Sequence, residues 1–137
     1  VAGVDLPAID NPTTKYFSRT VVTTAGGAAS SVSKIQPIED VRTLAGKEVV
    51  LSFYAKASGA LDLSIETEQQ FGSGGSAEVL AIGVNKFSLT TAWQRFTHTF
   101  TIPSISGKTV GSDSNLNQRF WFDAGSDLDA RTDTLGN

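Results

Sequence analysis

The chain has 137 residues, 39% hydrophobic and 18% charged, with 13 glycines and a net charge of −3; that is the size of one domain with a core of its own, and the composition suits a turn-rich β-sandwich rather than a helical bundle. An acidic balance with a pI near 5.0 leaves no electrostatic footprint for nucleic acid or for an anionic membrane. Cysteine is absent and His98 is the single histidine, which excludes disulfides, thiolate metal sites and every site that needs two histidines.

Residues 1–18 read as an irregular N-terminal segment, because Pro7, Asn11-Pro12 and Thr13-Thr14 break regular structure. They lack the basic start of a signal peptide and carry Asp5 and Pro7 in its place. The first residue is Val, so the numbering is expected to begin inside a longer polypeptide or after processing. No apolar run approaches the roughly 18 residues of a membrane span, and no membrane insertion is expected.

A domain is expected over residues 19–137. Residues 19–24, RTVVTT, read as a strand because β-branched side chains dominate. Residues 32–38 read as a second strand ending at Pro37, and residues 39–44 as one helical turn closed by Gly46. The strongest strand signal spans residues 47–57: Val49, Leu51, Phe53 and Ala55 share one face, Val50, Ser52, Tyr54 and Lys56 the other. Residues 61–70 alternate in the same way, with Leu61, Leu63 and Ile65 opposed to Asp62, Ser64, Glu66 and Glu68. Ser58-Gly59-Ala60 between them reads as a hairpin turn. Residues 78–89 hold one or two strands, residues 93–102 another and residues 118–124 the last, and residues 125–137 read as loop. Seven or eight short strands make an all-β chain, an antiparallel two-sheet jelly-roll sandwich. A closed jelly roll ends on a strand, so the final strand is expected beyond residue 137 or from a neighbouring chain.

Few residues suggest chemistry. The loop FGSGGS lacks the following helix and Gly-Lys-Ser/Thr of a phosphate cradle and reads as a hairpin loop. Asp62, Glu66 and Glu68 share one strand face at a spacing that two glycosidase carboxylates could use, but any solvated strand carries such residues. No catalytic residues are expected. Asp127, Asp129 and Asp133 are a Ca²⁺ candidate without the Gly and Glu of a calcium loop, and a solvated loop weighs more; no other cofactor is implied. His98 lies on the apolar parity of its strand and reads as a core residue.

Phe53, Phe96, Phe100, Phe120 and Phe122 share parity with aliphatic neighbours and belong to the core. Tyr54 and Trp121 have the opposite parity, beside Lys56, Glu66, Arg119 and Asp123. If the strands were adjacent in one sheet, these six residues would form an outer face able to hold a sugar: ring faces for C–H surfaces, polar groups for hydroxyls. The other reading is that this face packs on a neighbouring subunit, or that the Trp121 ring covers a sheet edge. With Trp121 off the core, Trp121→Ala is expected to abolish binding without unfolding the domain.

The segments VRTLAGKEVVLSFYAKA (residues 41–57), FGSGGS (residues 71–76), TTAWQRFTHTFTIPSISGKTVG (residues 90–111) and RFWFDAG (residues 119–125) together resemble a jelly-roll domain of tail-fibre and other structural proteins of tailed bacteriophages and their prophages. That domain is similar in turn to β-sandwich carbohydrate-binding modules. The resemblance covers roughly residues 16–137. It implies a non-catalytic virion protein at the surface of an extracellular particle, with other virion subunits as partners, a homo-oligomeric assembly and a role in host recognition. The family often has Trp where Tyr54 stands, and it continues past residues 130–136 into a further strand. The resulting expectation is a tail-fibre or host-recognition module that binds host cell-surface glycan. Two alternatives stand beside it: a purely structural module that decorates a capsid or links subunits through protein contacts, and a detached accessory module of a polysaccharide-degrading enzyme.

Overall fold

A computed structural model of the chain describes residues 16–135, so the expectation for residues 1–18 lies outside the described residues up to position 15. Six strands follow in order: β1 (Ser31–Glu39), β2 (Glu48–Ala55), β3 (Leu61–Gln70), β4 (Val79–Leu89), β5 (Gln94–Thr101) and β6 (Asn115–Ala124). A 3-10 turn, Ser126–Leu128, and a one-turn helix α1, Asp129–Thr132, close the described chain. The strands form two antiparallel sheets, one in the order β1-β6-β3-β4 and the other a β2-β5 pair.

The strands are where alternation is strongest, and β3 has the bounds that its pattern predicts. Four expectations need correction. Residues 19–24 form no strand; Val21 and Val22 are exposed, and β-branched residues favour a strand only where a sheet supplies neighbours to pack on. Residues 41–46 form consecutive turns rather than a helix, ended by Gly46 in the left-handed region. β1 runs through Pro37 rather than stopping there, because it is an edge strand and loses no ladder bond on its free side. Ser58-Gly59-Ala60 is not a hairpin turn: β2 and β3 lie in different sheets, and the short link carries the chain across the sandwich, so both apolar faces meet in the middle. The glycine-rich loop does join antiparallel neighbours, β3 and β4.

Between the sheets, Phe53 of β2 is central. Its ring centroid lies 5.4 Å from Phe87, 5.6 Å from Phe96 and 5.4 Å from Phe120, edge-on or offset distances at which aromatic pairs attract. His98 stacks on Phe100 at 5.4 Å inside this layer. At one end Ile82, Ile102 and Leu116 pack with Ile38, Leu44 and Val49. β4 carries irregularities in its register with β3. Gly83, at φ 59°, sits at one of them; a Cβ there would fall 2.4 Å from the Phe100 ring, so the ring's place depends on the missing side chain.

Candidate functional site

The sandwich has two outer faces, and they are built differently. On the four-stranded sheet, the residues that turn away from the core include Ser64, Glu66 and Glu68 of β3 and Asn117, Arg119, Trp121 and Asp123 of β6, paired across the strands as Ser64–Trp121, Glu66–Arg119 and Glu68–Asn117. This face is sealed: Glu66 is 0%, Glu68 1%, Trp121 2% and Asp123 4% exposed. The cover is the C-terminal segment expected to be loop. Leu135 and Leu128 pack on Trp121, the Ser64 hydroxyl donates to the Thr132 carbonyl, and Lys86 Nζ donates to the Thr134 carbonyl at 3.3 Å.

Beneath the cover the charges satisfy one another. Arg131 Nη2 lies 2.5 Å from Glu66 Oε1 and 2.5 Å from Glu68 Oε1, and Arg119 Nε lies 2.6 Å from Glu68 Oε1. Both guanidinium groups stack near the Trp121 ring, at 4.8 Å and 5.2 Å from its centroid. A register irregularity in β4 frees the Ala81 N–H, which donates to Glu66 Oε2 at 3.1 Å. Burial pushes the Glu66 carboxyl above its ordinary value despite the pull of Arg131. Burial also raises Glu68, but hydrogen bonds from Arg119 and its neighbours outweigh it and hold Glu68 below the ordinary value.

The outer face of the β2-β5 pair is open. Glu48, Val50, Ser52 and Tyr54 of β2 and Arg95, Thr97, Thr99 and Thr101 of β5 all point away from the core and are all exposed. Tyr54, 39% exposed, stands directly opposite Arg95. Arg95 Nε donates to Ser52 Oγ at 2.9 Å. Just beyond the strand ends, Lys56 Nζ lies 5.6 Å from the centre of the Trp93 ring, which also meets Phe17 edge-on at 5.7 Å. One end of this face therefore carries the exposed Tyr54 ring and Arg95, with the half-buried Lys56 and Trp93 just beyond the strands, and the rest of it a run of hydroxyl groups.

The six residues expected on one face are thus divided. Tyr54 and Lys56 belong to the open β2-β5 side, while Glu66, Arg119, Trp121 and Asp123 lie under the C-terminal segment of the other sheet. Parity alone assigns each residue to an outer face but does not say which sheet it joins or what lies over it. Trp93 and Arg95 were missed, although Trp93 and Arg95 alternate with Phe96 in a way that marks them as outward; what was lacking was the β2-β5 register that sets Arg95 against Tyr54. The Ca²⁺ candidate is not assembled. Asp127 lies in the 3-10 turn, Asp129 opens α1 and Asp133 caps it at φ 54°, so side chains two residues apart diverge around the helix axis. Among the described residues no three acidic or histidine side chains converge to hold a metal ion.

No curated protein matches the chain. A solved structure described as "CBM4 structure and function" is similar at 21% identity and a TM-score of 0.47, over 72% of this chain and 56% of that one. This chain thus spans little more than half the length of that chain. The family described as "Carbohydrate binding domain" matches residues 11–112, a stretch that contains β1 to β5 and hence the whole open face. The chain belongs to this carbohydrate binding domain family.

Proposed function

We propose that the domain holds a glycan on the outer face of the β2-β5 sheet, centred on Tyr54, and that it binds without carrying out chemistry. The observation that carries this reading is the exposed Tyr54 ring set across the ladder from Arg95 in a face that is open along its length. A pyranose laid on the ring places its C–H face against the π-system and leaves its equatorial hydroxyls at the ring's edge. There Ser52, Thr97 and Arg95 supply donors and acceptors within one cross-strand spacing, about 5 Å. Successive exposed hydroxyls at Thr97, Thr99 and Thr101 extend the polar surface along β5. The absence of chemistry is supported by the fate of the acids: Glu66 and Glu68 are committed to Arg119 and Arg131 beneath the C-terminal segment, not flanking a cleft with a gap for a glycosidic bond.

The setting we propose is a tailed-phage particle, where the domain acts outside the cell in host recognition beside other virion subunits; the support is the resemblance of residues 41–57, 71–76, 90–111 and 119–125 to that family. The binding site is tested by titrating the domain and its Tyr54→Ala variant against a glycan array. The ligand that binds the parent domain should lose roughly 10- to 100-fold in affinity for the variant, the range for one stacking ring, with the far-ultraviolet circular dichroism unchanged. Undiminished binding by the variant rejects the site. The setting is tested separately: purified domain added in excess should compete with adsorption of the parent particle to its host, and a particle whose proteome lacks the chain contradicts the assignment.

A further inference from the structure

Resting on the glycan site at Tyr54, we propose that the sugar bound there carries a carboxylate, and that Arg95 is the residue that selects for it. The argument starts from how this chain uses its arginines. Arg42 pairs with Asp40 at 2.9 Å. Arg119 and Arg131 pair with Glu66 and Glu68. Arg95, in contrast, has a hydroxyl as its partner: its Nε donates to Ser52 Oγ. That bond uses Nε of an exposed side chain, and no hydrogen bond to the described residues occupies its Nη donors. A planar fork of this kind fits a carboxylate through two parallel hydrogen bonds.

The charge around it points the same way. The protein is acidic, with 14 Asp and Glu against 11 Lys and Arg. Yet the acid on the outward parity of β2 and β5 is Glu48, paired with Thr101 at the far end of the ladder. Six residues of strand separate Glu48 from Tyr54, about 20 Å at the usual rise per residue, well beyond the ~8 Å over which exposed charges act in physiological salt. At the Tyr54 end the charged residue on the outward parity of the two strands is Arg95, directly opposite the ring. A net-acidic domain thus places positive charge beside its exposed ring. In a uronic acid the carboxylate is an equatorial substituent in the plane of the sugar ring. When the sugar is stacked on Tyr54, that substituent projects sideways at the distance of a cross-strand neighbour, about 5 Å, where Arg95 stands.

The test is calorimetric titration of the full chain against a panel of oligosaccharides rich in uronic acids, each matched with its carboxyl-reduced counterpart of the same linkage. The acidic form should bind about tenfold tighter than its reduced partner at low salt, the scale of one charge-assisted contact at an exposed site, and the advantage should shrink as salt is raised towards 1 M. Arg95→Gln should remove the advantage while leaving affinity for the reduced form. Arg95→Lys should keep part of it, retaining the charge without the fork. Arg42→Gln, the same change in net charge elsewhere on the surface, should leave it intact. Equal affinity for acidic and reduced forms, or an advantage that survives Arg95→Gln, overturns the proposal. Tyr54→Ala separates the two readings. If it weakens both forms while the parent does not distinguish them, the site stands and the selectivity falls; if it weakens neither, the site falls and the selectivity with it. A panel in which no member binds overturns the selectivity, while the glycan array with Tyr54→Ala decides the site.

Discussion

Each outer face of the sandwich sets an aromatic ring beside arginines on an antiparallel ladder, yet one is closed and the other open. On the four-stranded sheet Trp121 lies among Arg119, Arg131, Glu66 and Glu68, and the two carboxylates balance the two guanidinium groups. On the β2-β5 pair Tyr54 lies opposite Arg95, and Glu48, the acid on the outward parity of these two strands, lies at the far end of the ladder. The first set can be buried because it is neutral as a group and nearly every polar atom finds a partner. The second is built differently: Arg95 has the Ser52 hydroxyl rather than a carboxylate as its partner, and it stays exposed beside Tyr54. A large ring beside arginines therefore does not by itself tell a covered face from an open one; the partners of the arginines do.

The contrast is broken most directly at the two rings. Trp121→Ala should cost about 3–5 kcal/mol, as expected for removing a large ring from a packed site, because Leu128, Leu135 and Ala124 pack on it; a urea midpoint within error of the parent would show that the C-terminal segment does not seal this face. The burial of Trp121 already reverses the expectation that its ring is off the core. Acidification gives a second, smaller effect with a defined sign. Glu68 titrates below its ordinary value of 4.5 in the folded state, so its contribution to stability is present above about pH 4.5 and is lost as the pH falls through the lower folded value. Glu66, raised above 4.5 by burial, acts in the opposite sense: the folded state binds its proton more readily, and its contribution grows as the pH falls towards 4.5. Stability should therefore hold or rise slightly on mild acidification and then drop, with hydrogen exchange in residues 126–135 accelerating first. A monotonic loss beginning near neutrality would show that the carboxylates are not arranged in this way. The smallest effect is expected at Tyr54, where the Ala variant should change stability by no more than about 1 kcal/mol while losing glycan affinity.

How much of this was legible beforehand depends on what each signal reports. Alternation in residues 47–57 and 61–70 identified β2 and β3 and their inward faces, because burial of one face leaves a period of two. The same pattern could not show that Ser58-Gly59-Ala60 crosses between sheets, since a tight link and a crossing link use the same small residues. Trp121 and Tyr54 have identical parity and opposite fates. The difference lies in residues 126–135, whose Asp-rich composition reads as loop, yet Leu128, Arg131, Thr132 and Leu135 recur at one-turn spacing and reach Trp121, Glu66 and Ser64. Side-chain partners so far apart in the chain leave no local trace. Arg95 was hidden for the related reason that its significance depends on register, not on its neighbours in sequence.

The docking of α1 also has a mechanical side. Its residues contact β3, β4 and β6 together, and Arg131 ties it to β3 by ion pairs. Tension applied at the C-terminal end of the described chain would be shared among three strands of the larger sheet through that anchor. The β2-β5 sheet, which carries Tyr54, lies outside this load path and is joined to it by turns. On the reading proposed above, a glycan held on that sheet would feel little of a pull entering at the C-terminal end of the described chain.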